Sequence, residues 1–476
     1  MLTETVSLTT AEKELVYEEA LGLLEHVGLR MAGSRRLAEL EEAGAVVDHG
    51  SCVVRFPPEV VEAARRQCPR RIVMAGLRPE DDVVLDEGQP SRFAPSGCAA
   101  LTLDYVTGER RPSTLEDLRD ATIVLDETPE LDVMWTTVTA NDVPLERREL
   151  LEYFTVLSET RRHVTFVDSP SKIEPVLAIV EVLCGSLAAF RERPRVSTLF
   201  TAASPFQLDG RLLDFHAEMA GYGAPVLIYT VPISGATSPV TIAGTVTVGL
   251  AEFLGAATAI QILSPGAHLV MGPSGTVLDM HTTQICYGAV EAGLMDVAFT
   301  EVLHHLGIPV SCPGLATDAK HLGLQNGFEK ALKAFVTVAA GSDLLSGGMG
   351  LLDAANMLYL PQIVADAEVV AMVRRLLAEV EISHESIGAE TIARVGIGGD
   401  FLREKETRAR IRAGEHFVPT VATRLSYEAW RAEGHTEAEV AEARVDEILA
   451  ARREREPYLS DGQSTALAEI CGAEGP

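Results

Sequence analysis

The sequence has few aromatic residues, and its basic residues are far outnumbered by acidic ones. Aromatic side chains make up 5% of the 476 residues, and 40 Lys and Arg stand against 69 Asp and Glu, a formal net charge of -29. Nucleic acids and anionic membrane surfaces both attract basic proteins. We therefore expect neither a nucleic acid nor a membrane as partner.

Paired cysteine motifs are also absent. The seven cysteines are scattered, and none forms a Cys-x-x-Cys pair. This spacing fits neither a disulfide framework nor a zinc knuckle. The N-terminal stretch lacks the basic segment and apolar run of a secretory signal. We expect a cytoplasmic protein with no metal site.

Only one long apolar run occurs, at residues 241–262, and Glu252 is its single charge. Its length would suffice for a transmembrane helix. Three glycines, several threonines, the central carboxylate and the lack of basic flanks instead favour a helix buried between a sheet and its neighbours.

Short apolar, β-branched runs recur in the middle of the chain, about 30 to 40 residues apart, with helical stretches between them. Strands that alternate with helices at this spacing predict a parallel sheet of right-handed βαβ units. The seven runs begin at Asp132, His163, Val196, Pro225, His268, Pro309 and Asp343.

Seven such units approach a TIM (β/α)8 barrel, so we expect an α/β fold of this class with an N-terminal helical and hairpin extension and C-terminal helices. The eighth strand is not evident; residues 101–105 and a piece near 383–391 are candidates. An open doubly wound sheet is the alternative, but no Gly-x-Gly-x-x-Gly follows the first strand. The expected divisions are an extension over 1–95, the barrel over 96–396, a C-terminal helical segment over 397–452 and a flexible tail over 453–476.

Chemistry in a barrel lies at the carboxyl ends of its strands. The segment GLATDAK (314–320) directly follows the sixth run and carries Asp318 and Lys320. These residues could form an electrostatic or acid/base pair, or Lys320 could form a Schiff base. A helix-capping Asp beside a solvated Lys fits the spacing equally well.

A second segment, MHTTQICYGAVE (280–291), supplies His281, Tyr287 and Glu291 without metal-ligand spacing. Four aromatic residues, Trp135, Phe166, Phe200 and Tyr229, fall inside predicted strands. About half of the side chains on barrel strands point outward, so periodicity alone assigns none of these rings to a pocket.

Residues 232–272 (PISGATSPVTIAGTVTVGLAEFLGAATAIQILSPGAHLVMG) resemble the trimethylamine methyltransferase family, which shares a GATAPVT-type start, an AE-x-L helix and a PGAP-x-x-x-G strand. The similarity runs in order from about residue 15 to about residue 450. The further matching segments are LDYVTGERR (103–111), CYGAVE (286–291), TDAK (317–320), VADAEV (364–369), GGDFL (398–402) and YEAW-x-x-x-G (427–434).

This resemblance implies a TIM-barrel methyltransferase that moves a methyl group from a methylated amine to the cobalt of a separate corrinoid protein. Archaeal trimethylamine enzymes carry pyrrolysine just before the TDAK-like segment; here Cys312, Pro313 and Gly314 stand near that position. The departure favours a quaternary amine such as glycine betaine. The implied partners are the cognate corrinoid protein, a small methylated amine and further copies of the chain, with no cofactor bound directly.

A quaternary ammonium is already an activated leaving group, and its charge disappears as the methyl group leaves. A carboxylate held against the nitrogen would stabilise the ground state more than the transition state, whereas aromatic faces attract the cation by roughly 0.5–2 kcal/mol. We therefore expect the cationic nitrogen to lie against Phe166, Tyr229, Tyr287 and Met349. A substrate carboxylate would need donors such as His281 or Lys320. The expected catalytic residues are Asp318, Lys320 and Glu291.

Two other functions remain open from the sequence. One is a Schiff-base aldolase or lyase on the same barrel, with Lys320 as nucleophile. The other is a methylamine-binding protein that no longer transfers methyl groups. For the methyltransferase, we expect residues 92–111 and the C-terminal helices to form the rim on which the corrinoid protein docks.

Overall fold

The computed structural model describes residues 7–95, 97–167, 172–452 and 455–473, which form a mixed α/β fold. The helices are α1 (Thr10–His26), α2 (Leu37–Glu42), α3 (Pro58–Arg65), α4 (Leu115–Asp126), α5 (Leu145–Glu159), α6 (Glu174–Cys184), α7 (Leu187–Glu192), α8 (Gly210–Gly221), α9 (Ile242–Leu263), α10 (Val290–Leu306), α11 (Leu324–Ala339), α12 (Leu360–Leu377), α13 (His384–Ile387), α14 (Ala389–Val395), α15 (Lys405–Arg412), α16 (Tyr427–Glu433), α17 (Glu437–Arg452) and α18 (Asp461–Cys471).

The strands, many of them short, are β1 (Leu29–Ala32), β2 (Val46–Asp48), β3 (Val53–Arg55), β4 (Ile72–Met74), β5 (Val83–Leu85), β6 (Arg92–Phe93), β7 (Leu101–Leu103), β8 (Arg110–Pro112), β9 (Val133–Trp135), β10 (His163–Phe166), β11 (Val196–Ala202), β12 (Gln207–Asp209), β13 (Val226–Thr230), β14 (Ile233–Ser234), β15 (Leu269–Pro273), β16 (Thr276–Leu278), β17 (Ile285–Cys286), β18 (Ser311–Cys312), β19 (Leu344–Leu345), β20 (Leu351–Leu352) and β21 (Met357–Leu358).

The N-terminal extension contains the predicted helix and hairpin. Thr9 caps α1: its side chain accepts a hydrogen bond from the Glu12 amide at 3.3 Å, and the Glu12 carboxylate accepts one from the Thr9 amide at 2.7 Å. Strands β2 and β3 pair antiparallel. Strand β1 pairs with β3 and, in parallel, with β12, so the extension is joined to the middle of the chain.

All seven strands predicted in the middle of the chain are present as β9, β10, β11, β13, β15, β18 and β19. Five of them form a parallel sheet in the order β15-β13-β11-β10-β9. Two others pair in parallel with each other in a sheet of order β18-β19-β6. The parallel arrangement inferred from the alternation of strands and helices is confirmed.

Hydrogen bonds join these two sheets at both ends. On one side the Met271 amide donates to the Pro309 carbonyl at 3.0 Å, next to a parallel bridge between Met271 and Val310. On the other side the Asp132 amide donates to the Phe93 carbonyl at 2.8 Å.

The strand that joins β19 is therefore β6, and both predicted candidates for the missing strand are wrong. Strand β7 pairs with β8 and β21 in a separate sheet, and helices α13 and α14 occupy most of residues 384–395. Strand β6 is only two residues long, so it has no alternating pattern from which to predict it.

The two faces of the strands pack differently. One face packs against helices. The opposite face carries a cluster that we call the inner cluster, and its side of the strands the inner face. The inner cluster consists of Ile72, Met74, Val83, Leu85, Ala94, Val133, Trp135, Leu199, Leu227, Tyr229, Val270 and Leu344.

The hairpin of β4 and β5 covers the amino ends of the strands. It contributes four members of the inner cluster. At the start of β10, His163 lies within hydrogen-bonding distance of the Ala75 carbonyl through Nδ1 at 3.2 Å and of Ser197 Oγ through Nε2 at 2.9 Å. Burial lowers the pKa of His163 to about 3, so this buried ring is neutral. Access to the inner face is therefore from the carboxyl ends.

Helix α9 is the long apolar segment. It is the one helix in the described ranges with the length and composition to cross a membrane. Most of its side chains are buried, and it packs against α1, α3, α8 and α10 as well as β13. The prediction of a buried helix beside a sheet is confirmed.

The C-terminal part differs from the prediction in two places. Helix α18 lies within the expected flexible tail and buries Leu467, Ala468 and Cys471, because its apolar side chains share one face and pack on α5 and α6. The sequence pattern predicts one helix over 427–451, but the structure divides it at Gly434, which has a left-handed backbone with φ of 71°. Helix α17 then packs on α12 and α4.

Candidate functional site

Two aromatic rings meet on the inner face near the carboxyl ends of the strands. Trp135 is the last residue of β9, and Tyr229 lies one residue before the end of β13. Their ring centroids are 5.8 Å apart with the planes at 87°, an edge-to-face contact. These are large, rigid surfaces, so together they form a corner of fixed shape.

Hydroxyl groups and a glycine hold Tyr229 in place. Its hydroxyl lies 2.8 Å from Ser311 Oγ and 2.5 Å from Ser346 Oγ, on β18 and just after β19. A Cβ atom at Gly272 would lie 2.2 Å from the Tyr229 ring, so only glycine leaves room for it. Burial raises the pKa of Tyr229 well above its usual value, and the phenol stays neutral.

The inner face is open to solvent at the carboxyl ends. In β11 the other six residues are buried, but Thr201 is exposed. Thr201 lies opposite Tyr229 in the strand register, on the same inner face as Leu199. An inward side chain can be exposed only if solvent enters from above, because the amino ends are covered.

Trp135, Val167, Thr201, Tyr229 and Ser346, which lie near this opening, carry no formal charge. Trp135, the last residue of β9, and Thr137, two residues further along the chain, hold buried polar atoms with no hydrogen-bond partner: the indole Nε1 and the hydroxyl Oγ1. Buried polar groups are normally paired, so unpaired ones point to a bound water or ligand. We call Trp135, Thr137, Val167, Thr201, Tyr229 and Ser346 the inner-face site.

Asp318 holds two loops together. Its carboxylate accepts hydrogen bonds from the Tyr287 amide at 2.9 Å and the Gly288 amide at 3.0 Å. Its own amide donates to Glu329 Oε2 at 2.9 Å. Burial and the nearby Glu329 carboxylate raise the pKa of Asp318. The contacts are those of a side chain that fixes the loop before α10.

Lys320 lies at the surface. Its side chain is 65% exposed, and its ammonium pairs with Asp353 at 2.7 Å and donates to the Asp318 carbonyl at 2.7 Å. A Schiff-base lysine needs a neutral amine in a shielded pocket. An exposed, ion-paired ammonium does not meet that requirement, and the predicted catalytic contact between the Asp318 and Lys320 side chains is not present.

Other predicted site residues are exposed or lie on the helix-packed face. His281 is exposed in a loop, and Glu291 is exposed in the first turn of α10. Phe166 stacks on Tyr153 of α5 at 3.8 Å, and Met349 is fully buried in the same outer cluster. Phe166 and Met349 therefore lie on the helix side of the strands and not on the inner face, and the roles expected of His281 and Glu291 stay predictions.

The reason for the error at Phe166 is the strand register. Phe166 lies opposite Thr198, whose hydroxyl is 2.8 Å from His216 on α8, so both side chains face the helices. The sequence alone does not show whether a strand residue such as Phe166 faces the helices or the inner face.

Tyr287 and the segment 312–314 lie beside the strand ends. Tyr287 is partly buried, and its carbonyl accepts a hydrogen bond from Lys333 Nζ at 3.1 Å. Cys312 is buried on the helix side, with its sulfur 3.4 Å from Thr300 Oγ1, and burial raises the pKa of its thiol. Pro313 and Gly314 are buried, Pro313 against Gly347 and Gly314 against Leu345.

Two buried ion pairs on the helix side of the strands were not predicted from the sequence. Lys330 pairs with Asp366 at 2.6 Å and also donates to the Gly348 carbonyl at 2.7 Å. Lys333 pairs with Asp296 at 3.6 Å. Spacing offers one signal: the two lysines recur at i, i+3 on the buried face of α11.

The pair of Lys330 and Asp366 fixes the glycine loop after β19. The Gly350 amide donates to Asp366 Oδ2 at 2.8 Å, and a Cβ atom at Gly348, where φ is +119°, would lie 2.1 Å from the Leu315 carbonyl oxygen. The segment SGGMG, residues 346–350, is thus a tight loop at a strand end. In the described ranges no group of three or more His, Cys, Asp or Glu side chains could hold a metal ion.

Comparisons with known proteins cover nearly the whole chain. The profile of a family described as trimethylamine methyltransferase (MTTB) matches residues 2–471. The trimethylamine methyltransferase MttB of Desulfitobacterium hafniense (strain DSM 10664 / DCB-2) is 28% identical over 420 residues, 88% of this chain and 84% of that protein.

Two further matches are a relative found by its sequence and a protein found by its solved structure. The glycine betaine methyltransferase of Desulfitobacterium hafniense (strain Y51) is 24% identical over 445 residues, 93% of this chain and 92% of that protein. The crystal structure of the Methanosarcina barkeri monomethylamine methyltransferase (MtmB) aligns over 93% of this chain and 92% of that chain, with 14% identity and a TM-score of 0.48.

Proposed function

Because the chain belongs to the trimethylamine methyltransferase family, we propose that it transfers a methyl group from a quaternary amine of the glycine betaine type to the Co(I) of a corrinoid carried by a separate protein. Its relatives are trimethylamine and glycine betaine methyltransferases, and neither alternative drawn from the sequence gains support from them. The observation that carries the choice of donor is the inner-face site, which is aromatic, uncharged and open.

The fold we propose for this reaction is a closed (β/α)8 barrel. Eight strands in the order β9-β10-β11-β13-β15-β18-β19-β6 are all parallel where they pair. The bonds from Met271 to Pro309 and from Asp132 to Phe93 connect the two sheets on both sides. In such a barrel the reacting groups gather at the carboxyl ends, where the inner-face site lies.

The role of the aromatic corner follows from the charge of the donor. A trimethylammonium group against Tyr229 and Trp135 gains roughly 0.5–2 kcal/mol of cation–π attraction without a carboxylate that would oppose loss of the charge. The amine leaves as a neutral species, so no residue must supply a proton to it. The chain's task is thus to orient one N–CH3 bond toward the opening and to exclude water around the rest.

The methyl acceptor must reach the donor from outside, and the solvent-exposed Thr201 supports an entrance at the carboxyl ends. A Co(I) corrinoid supplies the nucleophile when its carrier protein is docked. For the docking rim we propose the hairpin of β7 and β8 with α17; the Tyr105 hydroxyl donates to Asp446 on that helix at 2.7 Å. The free thiols of Cys52, Cys68, Cys184, Cys286, Cys312 and Cys471 support a reducing, cytoplasmic location.

We further propose that the chain forms a homo-oligomer through a C-terminal arm, residues 388–432. Helices α14 and α15 of this arm bury no side chain, and exposed apolar residues include Ile397 at 109% and Leu402 at 80%. The arm has eight Lys and Arg against six Asp and Glu in an otherwise acidic chain. A basic, apolar arm complements the acidic surface of a second copy; light scattering that finds only monomers at micromolar concentration would refute this.

The decisive experiment is transfer to a reduced corrinoid protein, followed by the absorbance change on methylation of Co(I), with glycine betaine, carnitine, choline and trimethylamine as donors. Glycine betaine should react fastest. The variant Tyr229→Leu should raise KM for the donor about 2- to 30-fold, the range of one cation–π contact. Phe166→Leu is the matched control, because its ring lies on the helix-packed face of a neighbouring strand, and its KM should be unchanged. No methylation with any donor would refute the proposal.

A further inference from the structure

The strongest unexplained feature of the inner-face site is its pair of buried polar atoms without partners. Trp135 is 3% exposed and Thr137 is 1% exposed, and neither Trp135 Nε1 nor Thr137 Oγ1 has a hydrogen-bond partner. A buried donor left unpaired costs roughly 1–3 kcal/mol. Two such groups only two residues apart gain most when one ligand pairs with both.

The chemistry of the two groups defines what they can bind. An indole N–H can only donate a hydrogen bond, and a threonine hydroxyl can donate as well as accept. Their common complement is an acceptor oxygen. Both donors are neutral, since neither an indole N–H nor a threonine hydroxyl carries a charge.

Position connects these donors to the proposed substrate. The Trp135 ring touches the edge of Tyr229, with ring centroids 5.8 Å apart. A quaternary nitrogen against the two rings would therefore hold a substituent one or two carbons long close to the indole N–H. A trimethylammonium compound whose fourth substituent ends in an oxygen fits this separation.

We infer that Trp135 and Thr137 form an oxygen-binding subsite that selects, among quaternary amines, those that carry an acceptor oxygen. This inference rests on the proposed function, since it assigns the cationic end of the same substrate to the aromatic corner. Trp135 thereby acts twice: its ring contacts the cation, and its N–H donates to the oxygen. The subsite replaces the predicted donors His281 and Lys320, which lie at the surface.

The chain provides a direct reporter for the test. It contains two tryptophans, and the other one, Trp430, is 41% exposed in α16 of the C-terminal arm. In Trp430→Phe, Trp135 is the sole indole fluorophore. Binding of glycine betaine to this variant should shift its emission and give a dissociation constant equal to that from calorimetry on the unaltered chain.

The decisive measurement is calorimetric titration of three probes: glycine betaine, glycine betaine methyl ester and tetramethylammonium. The first has a carboxylate, the second an uncharged ester oxygen and the third no oxygen. Trp135→Phe keeps an aromatic ring and removes the N–H. It should therefore weaken the binding of glycine betaine about tenfold and the binding of tetramethylammonium less than threefold. The loss of affinity for the ester should lie between these two values if the charge of the carboxylate strengthens its hydrogen bond to the indole N–H.

A matched pair tests the hydroxyl. Thr136 and Thr137 are both 1% exposed with unpaired hydroxyls, and Thr136, which is not part of the inner-face site, serves as the control. Thr137→Val should weaken the binding of glycine betaine about threefold or more, and Thr136→Val should leave this affinity unchanged. If Trp135→Phe weakens all three probes equally, or none, the subsite is refuted while the proposed function stands. If the unaltered chain binds none of the probes, both are refuted.

Discussion

Replacing Glu252 by glutamine isolates a single buried carboxyl and its effect on stability. Glu252 lies in α9 with 0% of its side chain exposed. Its carboxylate accepts hydrogen bonds from Ser204 Oγ at 2.7 Å and from the Phe206 amide at 2.8 Å. Burial is the main cause that raises the pKa of this carboxyl to about 7. The contacts hold the loop after β11 to the helix.

The direction in which pH changes the free energy of unfolding follows from the pKa of Glu252 in the folded and the unfolded chain. In the unfolded chain the carboxyl has its ordinary pKa of 4.5, so it releases its proton at lower pH than in the folded chain. The free energy of unfolding therefore falls as the pH rises from about 4.5 to about 7, and it stays lower above that range. The full difference, from about 2.5 pKa units, is roughly 3 kcal/mol at pH 8 and less than about 1 kcal/mol at pH 5.

The variant Glu252→Gln keeps both contacts, since its amide oxygen can accept from the Phe206 amide and its NH2 can donate to Ser204 Oγ. For a chain of this length each kcal/mol shifts Tm by about 1 °C. Differential scanning calorimetry should find Tm about 3 °C higher than in the unaltered chain at pH 8, and within about 1 °C of it at pH 5. Asp296, whose pKa burial raises to about 6, is common to both proteins and cancels. An equal shift at both pH values, or a lower Tm at pH 8, refutes the reasoning.

Three further variants test the site and its support. Lys320→Ala should leave methyl transfer within about twofold and the free energy of unfolding within about 1 kcal/mol, as for an exposed ion pair; complete loss of turnover would restore the Schiff-base mechanism. Gly272→Ala forces a Cβ against the Tyr229 ring and should lower stability by roughly 1–3 kcal/mol and raise the donor's KM about tenfold; unchanged kinetics would separate this ring from the donor. Lys330→Met leaves the buried Asp366 carboxylate unpaired and should lower urea stability by roughly 3–5 kcal/mol, with partial recovery on adding Asp366→Asn; a loss below 1 kcal/mol contradicts the pairing.

The seven strands in the middle of the chain could be predicted because each is an apolar, β-branched run bounded by polar turns. Strand β6 could not, because its two residues pair with a strand far along the chain and carry no periodicity of their own. Helix α18 was missed for a related reason: its short apolar face gains burial only from α5 and α6, which the local sequence does not reveal.

The inner-face site was predicted only in part, at Tyr229. Parallel strands that are covered on both faces show near-continuous apolar runs, so the sequence does not reveal which alternate residues face inward. In β11, Thr198 and Thr201 are the same residue type; one contacts His216 on a helix, and the other lies at the opening. Only the register, in which Tyr229 lies opposite Thr201, separates the two faces.

Pairing of β6 with β19 has a consequence for biosynthesis. The ribosome releases Phe93 early and Leu345 much later, although the two are partners in adjacent strands. For most of translation the nascent chain holds an unpaired strand edge, the kind of surface on which other extended chains add. A nascent chain stalled before residue 344 should therefore recruit chaperones or aggregate, and the last third of synthesis determines whether the earlier two thirds keep their structure.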